Sequence, residues 1–131
     1  MTSLDTNVIV RFLVRDDEAQ YRRAEELLCV DDTFVCSTVL LETEWVLRAT
    51  FGFPKADILS AFERLGQIPG LEFFNVDAVR NAIAWSRRGL EFEDALHVAM
   101  SAEVDAFATF DRAFARRSAR LVIAPSVQLL K

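Results

Sequence analysis

The feature that most constrains the fold is an alternation of short β-type segments with longer helical segments along the chain. Strands are predicted at residues 2–4, 33–36, 71–76, 106–109 and 121–123. Helices are predicted to end at Val14, to span 18–28, 39–51, 55–65, 77–88 and 91–103, and to begin at Asp111. Parallel strands need long crossover connections, usually helices. The alternation therefore predicts an α/β fold in which helices cover both faces of a parallel sheet.

Length and composition predict one domain spanning residues 1–131. The chain has 131 residues, of which 52% are hydrophobic, so it can bury a substantial core. It has no apolar run of the roughly 18 residues that a membrane helix needs, and no signal peptide is recognised at its start. The two cysteines, Cys29 and Cys36, are expected to be buried apolar residues, and a cytoplasmic location with no membrane partner is expected.

The charge pattern is ambiguous about a nucleic-acid partner. The net charge of −5 is opposite in sign to that of most nucleic-acid-binding domains, which are basic. However, most basic residues are arginines, whose guanidinium groups bind phosphate in a bidentate manner. Several of them lie close together near the end of the chain, at Arg112, Arg116, Arg117 and Arg120. Solvated helix faces explain the same pattern, so charge alone does not decide.

Two acidic residues are predicted at the ends of strands. Asp5 follows the first strand, between Leu4 and an apolar run, where an unpaired buried carboxylate would be costly. Asp111 follows the strand 106–109. In open parallel sheets, ligands bind beyond the carboxyl ends of the strands. The two residues could therefore meet in one crevice, although a turn or capping role explains each of them separately.

Two helices supply further candidate carboxylates. Glu42 and Glu44 both lie on the mostly apolar helix 39–51, and their spacing does not distinguish between them. Asp94 lies in the first turn of a helix, where the helix dipole alone would explain an acid. His97 is three residues beyond Asp94, so it could contact that carboxylate or act as a packing residue.

A divalent cation would explain several converging carboxylates. Without one they would repel each other, and some would take up protons. Hard oxygen ligands favour Mg²⁺ or Mn²⁺, and no cluster of cysteine or histidine indicates zinc. Phosphodiester hydrolysis is a chemistry that uses such sites. No phosphate-binding glycine motif is present.

Four segments, in order, resemble motifs of PIN-domain ribonucleases. They are LDTNVIVRFL, VLLETEWVLRATFGF, FEDALHVAMS and ATFDRAF, and together they span nearly the whole chain. The chain is most similar to toxins of the VapBC type of bacterial toxin–antitoxin pair, including FitB-like members. The resemblance implies an α/β/α sandwich with about five parallel strands. One departure is Thr2-Ser3 in the first strand, where apolar residues are more usual.

The resemblance also assigns the site residues. Its four acids match Asp5, Glu42 (rather than Glu44), Asp94 and Asp111, which are implied to bind Mg²⁺ or Mn²⁺ and to be catalytic. The small polar positions that support the site match Thr6, Asn7 and Thr109. Arg112 and Arg116 are implied to contact RNA.

The implied activity is metal-dependent hydrolysis of RNA, with transfer RNA a frequent target in similar proteins. Glu42 or Asp111 would orient the attacking water. Similar toxins form homodimers, and each is bound by a small antitoxin that lies across the active-site groove.

Two alternative functions come from the residues themselves. Asp5 could be the nucleophile of a metal-dependent phosphatase or phosphotransferase, but it is followed by TNV instead of the DxD pattern of such enzymes. The acids could instead hold a structural metal, or none, in a non-catalytic interaction module.

Overall fold

The chain forms five short strands and seven helices. A computed structural model describes all of residues 1–131. The elements are β1 (Thr2–Ser3), α1 (Thr6–Val14), α2 (Glu18–Val30), β2 (Thr33–Val35), α3 (Ser37–Ala49), α4 (Lys55–Gly66), β3 (Leu71–Phe73), α5 (Val76–Arg87), α6 (Phe92–Ala99), β4 (Ala106–Thr109), α7 (Arg112–Leu121) and β5 (Ser126–Leu129). Every strand is parallel to its hydrogen-bonded neighbours. The predicted α/β class is confirmed.

The chain divides into two compact units, residues 1–74 and 75–131. The first unit contains a parallel sheet in the order β1-β2-β3. Thr33 at the start of β2 pairs with Thr2 on one side and with Leu71 on the other. The backbone N–H of Leu4 donates to the carbonyl of Phe34 at 2.9 Å. The hydrogen bonds to β2 therefore continue to Leu4, the residue directly before Asp5.

The helices of the first unit bury one apolar face each. In α4 the spacing of three and four residues brings Ile58, Phe62 and Leu65 to the same side, and these side chains are at most 2% exposed. In α1 the corresponding residues are Ile9 and Val10, each 1% exposed. Burial of several large apolar side chains stabilises each helix against its neighbours.

The second unit contains the parallel pair β4-β5, in register from Ala106 opposite Ser126 to Thr109 opposite Leu129. Helices α5 and α6 pack together. Small and branched apolar side chains are buried in both, including Ala82 and Leu96. The loop between them is fixed by the hydroxyl of Ser86, which donates to the carbonyl of Leu90 at 3.0 Å.

The predicted strand 121–123 is wrong. Leu121 is the last residue of α7, and Val122 caps that helix in the left-handed conformation with φ 55°. The fifth strand comes later, at Ser126–Leu129. Helical continuation of α7 outweighs the β propensity of three consecutive branched residues.

Several other boundaries differ from the predictions by one to four residues, and those of α6 and β3 differ most. Helix α6 ends at Ala99 instead of continuing to residue 103. The hydroxyl of Ser101 donates to the carbonyl of His97 at 2.9 Å, a side-chain bond that competes with helical hydrogen bonding at this end. Strand β3 ends at Phe73, because Asn75 already caps α5 by accepting from the N–H of Ala78.

The expected burial of both cysteines is also wrong. Cys29 is exposed on α2, and Cys36 is half-buried at the N-cap of α3. None of the seven helices combines the length and the apolar character that crossing a membrane requires.

Candidate active site

Asp5 lies close to where the sequence predicts it, two residues after the last residue of β1, but it is exposed instead of buried. It occupies the N-cap of α1 with extended backbone angles, φ −78° and ψ 158°, and its carbonyl accepts from the N–H of Val8 at 3.1 Å. Its carboxylate accepts no capping hydrogen bond, in contrast to most acidic N-caps. A capping role therefore does not account for this side chain, whose oxygens stay available for a ligand.

Thr6 and Glu42 are joined by a hydrogen bond. Thr6 is the first residue of α1 and is 4% exposed, and its hydroxyl donates to Oε1 of Glu42 on α3. The bond connects the residue next to Asp5 with a carboxylate 36 positions further along the chain. Thr6 thus positions the Glu42 side chain.

Glu44 is engaged elsewhere. Its Oε1 forms an ion pair with Nε of Arg48 at 2.9 Å, one turn further along α3. Glu42 is exposed to solvent, whereas the Glu44 side chain is only 13% exposed. Of the two glutamates that periodicity could not separate, Glu42 is the one joined to the α1 segment that begins at Asp5.

Asn7 faces a surface groove between α1 and α2. The groove has a volume of about 360 Å³ and is lined mainly by apolar atoms, from residues that include Val8, Ala24 and Leu27. Arg11 and Arg23 also line it, and the guanidinium group of Arg11 is paired with Asp16 at 3.0 Å. Asn7 is therefore at a surface where a ligand or a partner segment could bind.

Asp94 and Asp111 interact electrostatically within the second unit. Asp94 is the third residue of α6 and is half-buried. Burial raises the pKa of its carboxyl, and the negative charges of Glu91, Asp111 and Glu93 raise it further. A cation near Asp94 would relieve this repulsion.

Asp111 is the N-cap of α7 and, unlike Asp5, it does cap its helix. Its Oδ1 accepts from the N–H of Phe114 at 3.0 Å. Its own backbone N–H donates to the hydroxyl of Thr109 at 3.0 Å. Thr109 therefore supports the turn that presents Asp111, and only one of the two carboxylate oxygens is used by the cap.

His97 forms no hydrogen bond with Asp94, although its charge lowers the pKa of that carboxyl. Its Nε2 lies 3.5 Å from Oε1 of Glu93, and its ring stacks on Phe107 with 6.5 Å between ring centroids. The imidazole is exposed, so it is not a buried packing residue either.

Arg112 and Arg116 are both exposed on α7. Phe110, directly before Asp111, is 75% exposed. A search for acidic residues does not identify Phe110. The feature that could have identified it is its position in the sequence, directly before Asp111 and Arg112.

The candidate residues thus occur as two pairs, Asp5 with Glu42 in the first unit and Asp94 with Asp111 in the second. The structure contains no group of three or more Asp, Glu, His or Cys residues arranged to hold a metal ion. The assignment of all four carboxylates to one metal site remains a prediction.

The PIN domain family matches residues 3–119 of the 131-residue chain. The chain belongs to the PIN-domain family. The matched segment contains all four predicted carboxylates and their supporting residues Thr6, Asn7 and Thr109. No curated protein and no solved structure matches the chain.

Family membership confirms the coarser part of the functional prediction. PIN domains are generally nucleases, and therefore hydrolases, that use divalent metal ions. Their α/β fold agrees with the parallel strands and helices of this chain.

Proposed function

We propose that this PIN domain is a Mg²⁺- or Mn²⁺-dependent endoribonuclease that acts as the toxin of a VapBC-type toxin–antitoxin pair. The observation that carries the nuclease proposal is the family match across 3–119, which includes an acid at each predicted catalytic position. The proposed substrate is RNA, with transfer RNA as the first candidate, and the proposed location is the cytoplasm.

The chemistry of the candidate residues fits a hard divalent cation. Asp5 has a carboxylate that is not used for capping, and Asp111 has one uncommitted oxygen. The raised pKa of Asp94 reflects its burial and the adjacent negative charge, which a cation would offset. Carboxylate oxygens are the ligands that Mg²⁺ and Mn²⁺ prefer. In this proposal the ligands of the ion are Asp5, Glu42, Asp94 and Asp111, the set that the resemblance to PIN-domain ribonucleases implies.

When bound, the ion would polarise a phosphate oxygen and lower the pKa of a water molecule. The residues of the chain perform the other tasks. Glu42, oriented by Thr6, would accept a hydrogen bond from the attacking water and align it with the phosphorus. Asp111 could take this role with its uncommitted oxygen. Arg112 and Arg116 would bind the phosphates of the RNA next to the cleaved bond.

Two surface features support the proposed protein partners. The groove lined by Val8, Ala24 and Leu27 could accept an apolar segment of the antitoxin, and Arg23 at the groove could pair with an acidic side chain of that segment. Trp45 on α3 is 56% exposed, and large aromatic residues of this kind are enriched in protein interfaces. We assign this face of α3 to the homodimer.

The nuclease activity is tested with purified protein free of antitoxin. The protein should cleave RNA in Mg²⁺ or Mn²⁺, and EDTA should stop the cleavage. Asp5→Asn should be inactive, while Asp57→Asn, which removes an exposed acid in the first turn of α4, should cleave as the wild type does. Equal cleavage by the wild type and Asp5→Asn would identify the activity as a contaminant.

The toxin role needs a separate test in cells. Induced expression of the wild type should stop growth, and expression of Asp94→Asn should not. Sequencing of RNA ends shortly after induction would identify the target. If both proteins leave growth unaffected while the purified wild type cleaves RNA, the enzyme is a nuclease but not a toxin.

A further inference from the structure

The helix α7 differs in charge from the rest of the chain. It carries four arginines, Arg112, Arg116, Arg117 and Arg120, and no acidic residue. Because the chain has a net charge of −5 and α7 contributes +4, the remaining residues carry −9. A concentrated positive charge on an acidic protein favours a local anionic ligand over general attraction to polyanions.

The four arginines share one face of α7. Arg112, Arg116 and Arg120 follow at intervals of four residues, which stacks them along the helix, and Arg117 lies beside them. All four are exposed, while Phe114 and Ser118 on the other side are buried. We call these four residues the arginine face. At a rise of about 1.5 Å per residue, it extends over about 12 Å.

The arginine face has no carboxylate partners within the chain. Four arginines of the first unit have carboxylate partners, among them Arg15 and Arg22, which both pair with Glu18, at 2.8 Å and 3.6 Å. None of the four arginines of α7 forms an ion pair. Like charges four residues apart on a helix repel each other, so the stripe destabilises α7 unless an anion binds.

The position of the arginine face connects it with the candidate active site. Arg112 directly follows Asp111, and the face runs from there towards the C-terminal end of α7. Phe110, on the other side of Asp111, is an aromatic ring that is 75% exposed. A line of cationic side chains beside an exposed aromatic ring is the combination that binds single-stranded nucleic acids, through phosphate contacts and base stacking.

We infer that Phe110 and the arginine face bind one single-stranded segment of the RNA substrate. A base stacks on Phe110, and the phosphates on one side of the cleaved bond follow Arg112, Arg116, Arg117 and Arg120. With one phosphate per about 3.4 Å of a stacked strand, a face of about 12 Å covers three or four phosphates. The placement of the cleaved bond beside Asp111 rests on the proposed nuclease function, and the binding of RNA by α7 does not.

The experiment measures equilibrium binding of an unstructured RNA oligonucleotide in EDTA, where no cleavage occurs, at several salt concentrations. Each phosphate contact to a single strand contributes about 0.7 to the slope of log affinity against log salt. The double variant Arg117→Ala/Arg120→Ala should therefore reduce the magnitude of the slope of log affinity against log salt by about 1.4. The matched control is Arg15→Ala with Arg22→Ala, which removes the same charge but should keep the wild-type slope.

Phe110 is tested independently of charge. Loss of one stacked base should weaken binding by about 5- to 150-fold in Phe110→Ala, with the salt slope unchanged. Phe110→Trp keeps an aromatic platform and should bind as the wild type does. Circular dichroism should show folded protein in every variant, because all the replaced side chains are exposed.

An unchanged slope in the α7 double variant, or equal loss in the control, would overturn the inference. So would equally tight binding of polyglutamate, which would point to an acidic protein partner. Failure of the wild type to bind the oligonucleotide would overturn it as well, even if metal-dependent cleavage of other RNAs is observed. Binding through α7 without metal-dependent cleavage would support the inference and refute the proposed nuclease function.

Discussion

Replacing Thr6 with valine tests whether Glu42 must be positioned to act. Valine has nearly the shape of threonine, so the change removes the hydroxyl that donates to Glu42 without opening a cavity. A hydrogen bond to a charged group is worth about 1.5–3 kcal/mol when both partners are buried. Since Glu42 is exposed, water can replace the lost donor, and the loss should be nearer 1 kcal/mol.

The added methyl group offsets part of this loss, because Thr6 is 4% exposed. A buried methyl contributes about 0.8 kcal/mol. The free energy of unfolding of Thr6→Val should therefore fall by less than about 1 kcal/mol. For 131 residues, an unfolding entropy of about 2.1 cal/mol/K per residue converts this to a decrease in Tm of less than about 4 °C.

Activity should respond much more strongly than stability. Removal of a residue that orients a metal-binding or catalytic carboxylate typically costs about 10- to 100-fold in activity or metal affinity. We expect kcat/KM for RNA cleavage by Thr6→Val to fall within that range. Thr6→Ser retains the hydroxyl and should restore most of the activity, although it loses a methyl group and some stability.

Thr43 provides the matched control. It is also fully buried, but its hydroxyl donates to the backbone carbonyl of Val39 at 2.7 Å, away from any carboxylate. Thr43→Val should alter stability to a similar small degree and leave cleavage unchanged. If Thr6→Val retains as much activity as Thr43→Val, Thr6 does not position Glu42 for catalysis and this reasoning is refuted.

Three further predictions concern the metal, the pH and the backbone. At a concentration of about 100 times its dissociation constant, Mg²⁺ or Mn²⁺ should stabilise the protein by about 2.7 kcal/mol, which raises Tm by about 10 °C. In thermal scans, Asp94→Asn should abolish most of that increase. Burial and adjacent carboxylates raise the pKa of Asp94, so the stability that this group contributes is full at acidic pH and is lost as the pH rises through its folded-state pKa. In EDTA, urea unfolding should therefore show that the stability of Asp94→Asn relative to the wild type increases from acidic to neutral pH. A difference in stability that does not change with pH would contradict this prediction. Gly70→Ala should lower the free energy of unfolding by more than about 1 kcal/mol, because φ is +84° and the new Cβ would lie 2.7 Å from Oδ1 of Asp32. In the control Gly52→Ala the new Cβ meets no atom within 4 Å, so this variant should lose less stability in the same urea assay.

Much of the fold could be predicted from local sequence patterns. The helix spacing in 55–65 and the strand at 106–109 are found within a residue of the predicted bounds. Periodicity succeeds there because each element has one buried face or clear turn residues at its ends. It fails at 121–123, where three branched residues favour a strand in isolation but follow a helix that continues through Leu121.

The candidate site was predictable only in part. Strand ends mark Asp5 and Asp111, since a carboxylate within two residues of the end of a strand is a local feature. The hydrogen bond from Thr6 to Glu42 joins residues on two helices, so it depends on tertiary packing that no local pattern encodes. For the same reason, the exposure of Asp5 could not be read from its apolar neighbours, of which Leu4 is 3% exposed.

The strand β5 shows that the C-terminal end of the chain supports the candidate site although it contains none of the predicted catalytic acids. It lies within the last twelve residues, beyond the family match that ends at residue 119. Yet β5 is the only strand that pairs with β4, and the N–H of Leu130 donates to the carbonyl of Thr109 at 2.8 Å. A premature stop codon after residue 124 would keep every predicted catalytic acid while removing the strand that holds Thr109 beside Asp111. Such a gene would look intact by its motifs and encode a protein with a disrupted site.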